Sequence, residues 1–159
     1  MKARRATTSD AAAIARIYNA GIDERIATFE TRHRTAADVE QWFDGLHPIV
    51  VIEENDEVIA FASTSTYRPR DCYAGIAEFS VYAARASRGA GAGRAAMLAL
   101  FDAARDAGFW KLVSRVFVEN AASRRLLQSV GFREVGTYEH HAKLDGVWRN
   151  VVIVEKLLT

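Results

Sequence analysis

The chain has 159 residues, half of them hydrophobic and 26% charged, with a formal charge of +1. That is enough chain for one domain with a proper core, and the near-neutral balance supplies no global basic field to gather nucleic acid or an anionic membrane. Cys72 is the only cysteine, so no intramolecular disulfide can form, nothing has zinc-ligand spacing, and no metal is expected.

In chain order, Lys2 to Ala6 has room for a short strand. Arg4 and Arg5 precede an alanine-rich stretch that Arg16 interrupts, so no signal peptide is expected. No apolar run is long enough to span a bilayer, and a cytoplasmic protein is the default expectation. Thr7-x-x-Asp10 has the form of a capping box and opens a helix whose Ile14, Ile17 and Tyr18 recur at helical spacing to about Gly21. A polar connection, Asp23 to Arg34, carries Ile26 and Phe29. Thr35-x-x-Asp38 repeats the capping pattern before Val39, Trp42 and Phe43, predicting a short second helix that ends near Gly45.

Strands are predicted at Ile49 to Glu53 and Val58 to Thr66, joined by the Asn55-Asp56 turn, and at Gly75 to Tyr82. A glycine-rich turn then feeds the longest helix, Gly91 to Ala107, which Gly108 ends. Leu112 to Val118 reads as a strand and Asn120 to Val130 as a helix. Phe132 to Lys143 and Val147 to Leu157 form a last hairpin around Asp145-Gly146, a strong two-residue turn signal. With no linker or repeat, the expectation is one α/β domain over residues 1–159, with a mixed sheet of about seven strands flanked by about four helices.

The most specific stretch is Val81-Tyr82-Ala83-Ala84-Arg85-Ala86-Ser87-Arg88-Gly89-Ala90-Gly91-Ala92-Gly93-Arg94. A strand runs into alternating glycines, and a long helix follows at once. Glycines let backbone amides approach a ligand closely, and the free N–H groups of a helix start favour bound anions. Arg88 and Arg94 add positive charge. No Gly-Lys-Ser/Thr is present for a nucleoside triphosphate loop, and Gly89, Gly91 and Gly93 do not fall in the dinucleotide pattern. Read alone, the stretch also fits a turn that merely permits tight packing.

Arg88-x-x-Gly91-x-Gly93 resembles the pyrophosphate-binding signature of the GNAT superfamily of N-acetyltransferases, in its expected place between a central strand and a helix. Glu119-Asn120-Ala121-Ala122-Ser123 and Val130-Gly131-Phe132 are similar to that superfamily's second acetyl-CoA segment. Ile22 to Glu30, Glu78-Phe79-Ser80-Val81-Tyr82 and the tail around Trp148 resemble the phosphinothricin, methionine sulfoximine and arsinothricin acetyltransferase group, so the likeness covers nearly the whole chain. It implies a GNAT-like fold, acetyl-CoA as co-substrate, a small-molecule amine as acceptor, and a homodimer. The acceptor it implies is the α-amino group of a small acidic amino acid analogue, in detoxification or resistance. The alternatives are another amine (amino acid, polyamine or protein N-terminus) and a catalytically silent acyl-CoA sensor.

The implied chemistry is direct transfer of acetyl from a thioester to a neutral amine, helped by a base near the amine and by donors to the developing oxyanion. Glu78 sits mid-strand among apolar neighbours, where a carboxylate is costly without a task or a partner. The resemblance makes it the general base; a solvated or arginine-paired glutamate is the other reading. By resemblance, the strand around Val81, Tyr82 and Ala83 holds the acetyl and pantetheine arm. The turn Arg88, Gly89, Ala90, Gly91, Ala92, Gly93 and Arg94 takes the pyrophosphate, while Asn120 and Ser123 meet the cofactor arm. Asn120 is also well placed simply to cap its helix. Tyr67, Arg68 and Arg70 are expected to line the substrate site. Pro69 disfavours helical geometry at Arg68, and extended residues two apart point the same way, toward one anionic group. Phe29 is a candidate wall of that pocket, or ordinary core. Cys72 has no activating neighbours, and the adjacent His140 and His141 should face opposite ways.

Overall fold

The computed structural model describes residues 1–159. Seven strands form one mixed sheet: β1 (Lys2–Arg5), β2 (Ile49–Glu54), β3 (Glu57–Thr66), β4 (Ile76–Ala83), β5 (Lys111–Phe117), β6 (Arg133–Leu144) and β7 (Val147–Leu157). Four helices flank it: α1 (Ala11–Asp23), α2 (Ala36–Glu40), α3 (Ala92–Asp106) and α4 (Ala121–Ser129). The spatial order is β1-β2-β3-β4-β5-β7-β6. Every neighbouring pair is antiparallel except β4–β5, as a strand–helix–strand crossover through α3 requires. No helix is long and apolar enough to cross a membrane.

The turns behave as their residues dictate. Asn55 and Asp56 both take positive φ, as do Asp145 and Gly146, which is the geometry that lets a two-residue loop follow the twist of a hairpin. Thr7 accomplishes its capping in a single 3₁₀ turn, Thr8–Asp10, that leads directly into α1. Two element boundaries differ from the sequence pattern. Gly21 does not stop α1, which continues to Asp23; its missing side chain makes room, since a Cβ there would stand 2.7 Å from the Tyr82 ring. The second helix closes at Glu40, well before Gly45, and Trp42 and Phe43 reach the core from the turns that follow.

Each face of the sheet has its own core. On one side Met97, Leu100 and Phe101 of α3 and Leu127 of α4 pack with Ala77, Phe79, Leu112, Phe132 and Val152. On the other, Ile14 and Ile17 of α1 and Val39 of α2 cover Ile49, Val51 and Phe61. The second layer therefore covers β2 and β3, and β5, β6 and β7 carry no helix on that face.

Arg4 on β1 fastens the start of α1. Its guanidinium donates to both Asp10 oxygens (2.8 Å each) and to Glu53 Oε1 (2.7 Å), while Thr7 N–H also donates to Asp10 (2.8 Å). The hydrogen bonds from Arg4 hold the buried Asp10 carboxyl below its ordinary range. Because the folded value is depressed, the stabilisation is full above the ordinary carboxylate range and is lost as pH falls through the folded value. Asp10→Asn is expected to cost about 1.5–3 kcal/mol at pH 7, and the gap to wild type should close in acid. Urea unfolding from pH 7 down to 3 checks this; a gap that stays constant with pH would remove the ion pair as its cause.

Candidate active site

The cleft begins where one ladder stops. β3 pairs with β4 from Thr66↔Ala77 to Ala60↔Ala83. β5 pairs with β7 from Lys111↔Leu157 to Phe117↔Val151. Between these two halves β4 and β5 pair only at Ile76↔Lys111, Ala77↔Leu112 and Glu78↔Val113. Ser114 Oγ then donates to the Phe79 carbonyl (3.0 Å) across the widening gap. Beyond it the strands part around a cavity of about 410 Å³. The N–H of Ala84 donates to Ile59 O on the β3 side. Alternation along an antiparallel strand therefore turns the backbone groups of Phe79, Val81 and Ala83 toward the gap. The amides of Val81 and Ala83 face it with no β5 residue in register.

The glycine turn leaves the same edge of the sheet. Gly89 (φ +78) and Gly91 (φ +88) are left-handed, and a Cβ on either would meet nothing within 4 Å, so both face open space. Six consecutive amides, from Gly89 to Arg94, donate to no acceptor in the protein; the first satisfied amide of the helix is Ala95, which donates to Gly91 O (3.0 Å). A row of unpaired N–H groups at a helix start, on residues that alternate with glycine, has the form of an anion cradle. The turn follows β4 along the chain, but neither its residues nor Ala83 line the cavity, which Glu78, Val81 and Tyr82 of that strand do.

The family comparisons fit this geometry. The sequence pattern of the Acetyltransferase (GNAT) family matches residues 14–132. The chain belongs to the GNAT family of acetyltransferases. It is 35% identical to the L-amino acid N-acyltransferase MnaT of Escherichia coli, covering 98% of this chain and 92% of that protein. It is 31% identical to an L-methionine sulfoximine/L-methionine sulfone acetyltransferase of Salmonella typhimurium, covering 98% and 93%. The yncA structure from Salmonella typhimurium, solved with acetyl-CoA, superposes with a TM-score of 0.95 at 31% identity over 100% of this chain and 94% of that one. A phosphinothricin acetyltransferase from Sinorhizobium meliloti, also with acetyl-CoA, gives 0.90 at 25% identity over 98% and 87%. The enzyme is thus an N-acetyltransferase, of a family that uses acetyl-CoA.

The cleft brings together Phe29, Glu78, Val81, Tyr82, Asn120 and Ser123 of the residues singled out in the sequence. Glu78 is half-buried and paired: Arg115 Nη2 lies 2.5 Å from its Oε1. Phe29 stacks edge-on against Phe117 at 4.7 Å. Tyr82, deep in the wall, meets Tyr18 edge-on at 5.1 Å, and burial raises its phenol well above the ordinary range, so it remains neutral. Asn120 has two structural tasks: its Oδ1 accepts from Ser123 N–H (3.2 Å), and its Nδ2 donates to Ile26 O (3.3 Å). Arg94 turns to Ser129. Arg88 grips Glu24 with both terminal guanidinium nitrogens, which holds the Glu24 carboxyl below its usual range.

Tyr67 and Arg68 line a second groove that meets the cleft at Glu78, Ser114 and Arg115. Arg70 lines neither. The expected extended geometry is absent here, because Arg70 N–H donates back to Arg68 O (2.8 Å); that tight turn removes the alternation that would have aimed both arginines one way. Cys72 is exposed. His141 does face the cleft, while His140, at φ +47 in a bulge of β6, stacks on Trp148 at 5.2 Å. The sequence assigns no site role to Tyr18, Thr28, Ser114, Arg115, Phe117 or His141, all cleft-lining, because only the register of β4 against β5 and the fold of the α1–α2 connection place them there.

The two tasks of Asn120 separate by substitution. Asn120→Ala should lower stability by about 0.5–2 kcal/mol, the usual worth of a lost N-cap. Asn120→Asp, which keeps an acceptor for Ser123 N–H, should recover most of it. Urea midpoints decide, and an alanine variant as stable as wild type would show that the cap contributes nothing.

Proposed function

We propose that the enzyme acetylates the α-amino group of a small acidic amino acid analogue, of the phosphinothricin, arsinothricin or methionine sulfoximine type, by direct transfer from acetyl-CoA. The observation that carries this is the run of six unpaired amides that follows β4 along the chain, while Glu78 and Val81 of that same strand line the cavity. The cradle amides of Gly89 to Arg94 take the pyrophosphate of acetyl-CoA, with Arg88 and Arg94 adding charge. The free amides of Val81 and Ala83 meet the pantetheine arm and the acetyl carbonyl. Asn120 and Ser123 lie beside that arm. Glu78, at the last paired position of β4, accepts the amine proton directly or through water.

The amine nitrogen attacks the thioester carbonyl carbon, and the carbonyl electrons move to oxygen, where backbone N–H groups stabilise the charge. Collapse of this adduct breaks the C–S bond, and CoA leaves as a thiolate that recovers a proton. Phe29 walls the acceptor, and Arg68, on the adjoining groove with Tyr67, supplies positive charge for an acidic end. The relatives named for methionine sulfoximine and phosphinothricin support the substrate class. A second reading, a neutral L-amino acid, is favoured by the apolar wall of Phe29, Phe117 and Val151 and by the likeness to an L-amino acid N-acyltransferase. Free CoA and product mass across phosphinothricin, methionine sulfoximine, methionine and a polyamine separate these readings. Preference for the neutral amino acid or the polyamine would overturn the first.

The reading includes a homodimer. Val135, Tyr138, Val147 and Trp148 are large apolar side chains exposed on the β6–β7 hairpin, and a second copy is the partner that would cover them. Sedimentation should give twice the chain mass.

Gly91→Val should weaken acetyl-CoA at least tenfold. A branched residue is strained at positive φ and fills the space the phosphates approach, whereas nothing of the protein itself lies within 4 Å. Calorimetry of a variant with unchanged circular dichroism tests it, and unaltered affinity would remove the cradle from the mechanism.

Glu78→Gln should keep acetyl-CoA affinity and slow turnover by about 10²–10⁴-fold, with the largest loss at low pH where the amine is protonated. A wild-type rate from pH 6 to 9 would leave Glu78 with only its ion pair.

A further inference from the structure

Arg115 has no counterpart in the mechanism above, yet it occupies the most exacting position in the cleft. On β5 the side chains of Leu112 and Val116 enter the α3–α4 core, so alternation puts Lys111, Val113, Arg115 and Phe117 on the opposite face. Pairing with β4 ends at Val113, which makes Arg115 the first side chain beyond the fork on the face that Glu78 shares. Its Nη2 stands 2.5 Å from Glu78 Oε1, and its Nη1 lies 3.5 Å from His141 Nε2.

Three observations distinguish it from the other arginines. It is the only arginine or lysine that lines the cleft, whose other charged residues are Glu30 and Glu78. It also lines the Tyr67–Arg68 groove, so it stands where the two spaces meet. Its guanidinium is incompletely used: an arginine has five N–H donors, and Nε has no acceptor in the protein, while the side chain is 44% exposed. By contrast Arg124 spends Nε and Nη2 on the two oxygens of Glu134 and Nη1 on Val118 O.

An α-amino acid carries its amine and its carboxylate on one carbon. A molecule that brings its nitrogen to Glu78 must therefore bring its carboxylate to whatever lies beside Glu78, and that group is Arg115. We infer that Arg115 receives the α-carboxylate of the acceptor and is the residue that selects α-amino acids from other amines. The pair Glu78–Arg115 is complementary in charge and spacing to the head of an amino acid, and the two side chains satisfy each other when no acceptor is bound. Arg68, farther along the groove, is left for an acidic side chain. The inference rests on the reading that the acceptor is an α-amino acid analogue, and it does not depend on whether the side chain is acidic.

The test compares each acid with its carboxamide: L-methionine sulfoximine against its amide, and L-methionine against L-methioninamide. The wild-type enzyme should favour the acids. Arg115→Met removes the charge and also frees Glu78, so a loss common to all four amines is expected from Glu78 alone. The quantity to read is the acid-to-amide ratio of kcat/KM, which should fall about ten- to a hundredfold, mostly through KM. Arg115→Lys should restore part of the ratio, because it keeps the charge and loses the planar fork. Acetyl-CoA affinity and melting temperature establish that each variant is folded. A ratio unchanged in both variants overturns the inference and makes Arg115 a positioning residue for Glu78. So does a wild-type enzyme that treats acid and amide alike or acetylates neither acid. If methionine is preferred to phosphinothricin while the ratio still collapses in Arg115→Met, the acidic-substrate reading fails and the role of Arg115 stands.

Discussion

The structure depends on an interrupted ladder. Two parallel strands held together at three residue pairs and then forced apart leave backbone donors and acceptors in the middle of a sheet, where they would normally be satisfied. The cost is tolerated because each strand keeps its other neighbour past the point of parting and because Ser114 lends a hydroxyl to Phe79 O there. What the sheet loses in pairing becomes an open polar edge lined on both sides by rigid strands. Cofactor and acceptor can then meet between elements that do not need to move to receive them.

The connection between α1 and α2 closes this space from above, and its ties run to the residues that bind ligand in the proposed mechanism. Glu24 holds Arg88, Ile26 O receives Asn120 Nδ2, and Arg25 reaches Asp145 at the tip of the β6–β7 hairpin (3.1 Å). Phe29 leans on Phe117 at the floor. The Glu24–Arg88 ion pair is half-exposed and therefore intrinsically weak.

Local rules made most of the fold legible. Seven strands and four helices follow from hydrophobic period and turn residues, and the pairs Asn55-Asp56 and Asp145-Gly146 fix two hairpins by left-handed geometry alone. The glycine turn was readable partly for the same reason, since Gly89 and Gly91 take positive φ, whereas Gly93 makes room for Leu126. Gly21 was misread as a stop because a glycine can serve either conformation or close packing, and only the neighbouring Tyr82 ring distinguishes them. The charged partners were illegible in principle. Glu24 and Arg88 are 64 positions apart, Glu78 and Arg115 are 37 apart, and no local pattern marks either pair. The loop between Arg68 and Arg70 departs for another reason: the run of extended geometry inferred from Pro69 is interrupted by a turn bond from Arg70 N–H to Arg68 O, which proline does not forbid.

The central claim is that the unpaired amides of one turn and one strand edge receive acetyl-CoA, and proton–nitrogen correlation spectra recorded during a titration with acetyl-CoA test it most directly. An amide that gains a charged acceptor moves downfield, and a chain of 17.6 kDa gives resolved spectra. The expected result is that the largest downfield shifts fall on Gly89 to Arg94, with smaller ones on Val81 and Ala83, at the stoichiometry of one ligand per chain. Binding that saturates while those amides stay in place would contradict it.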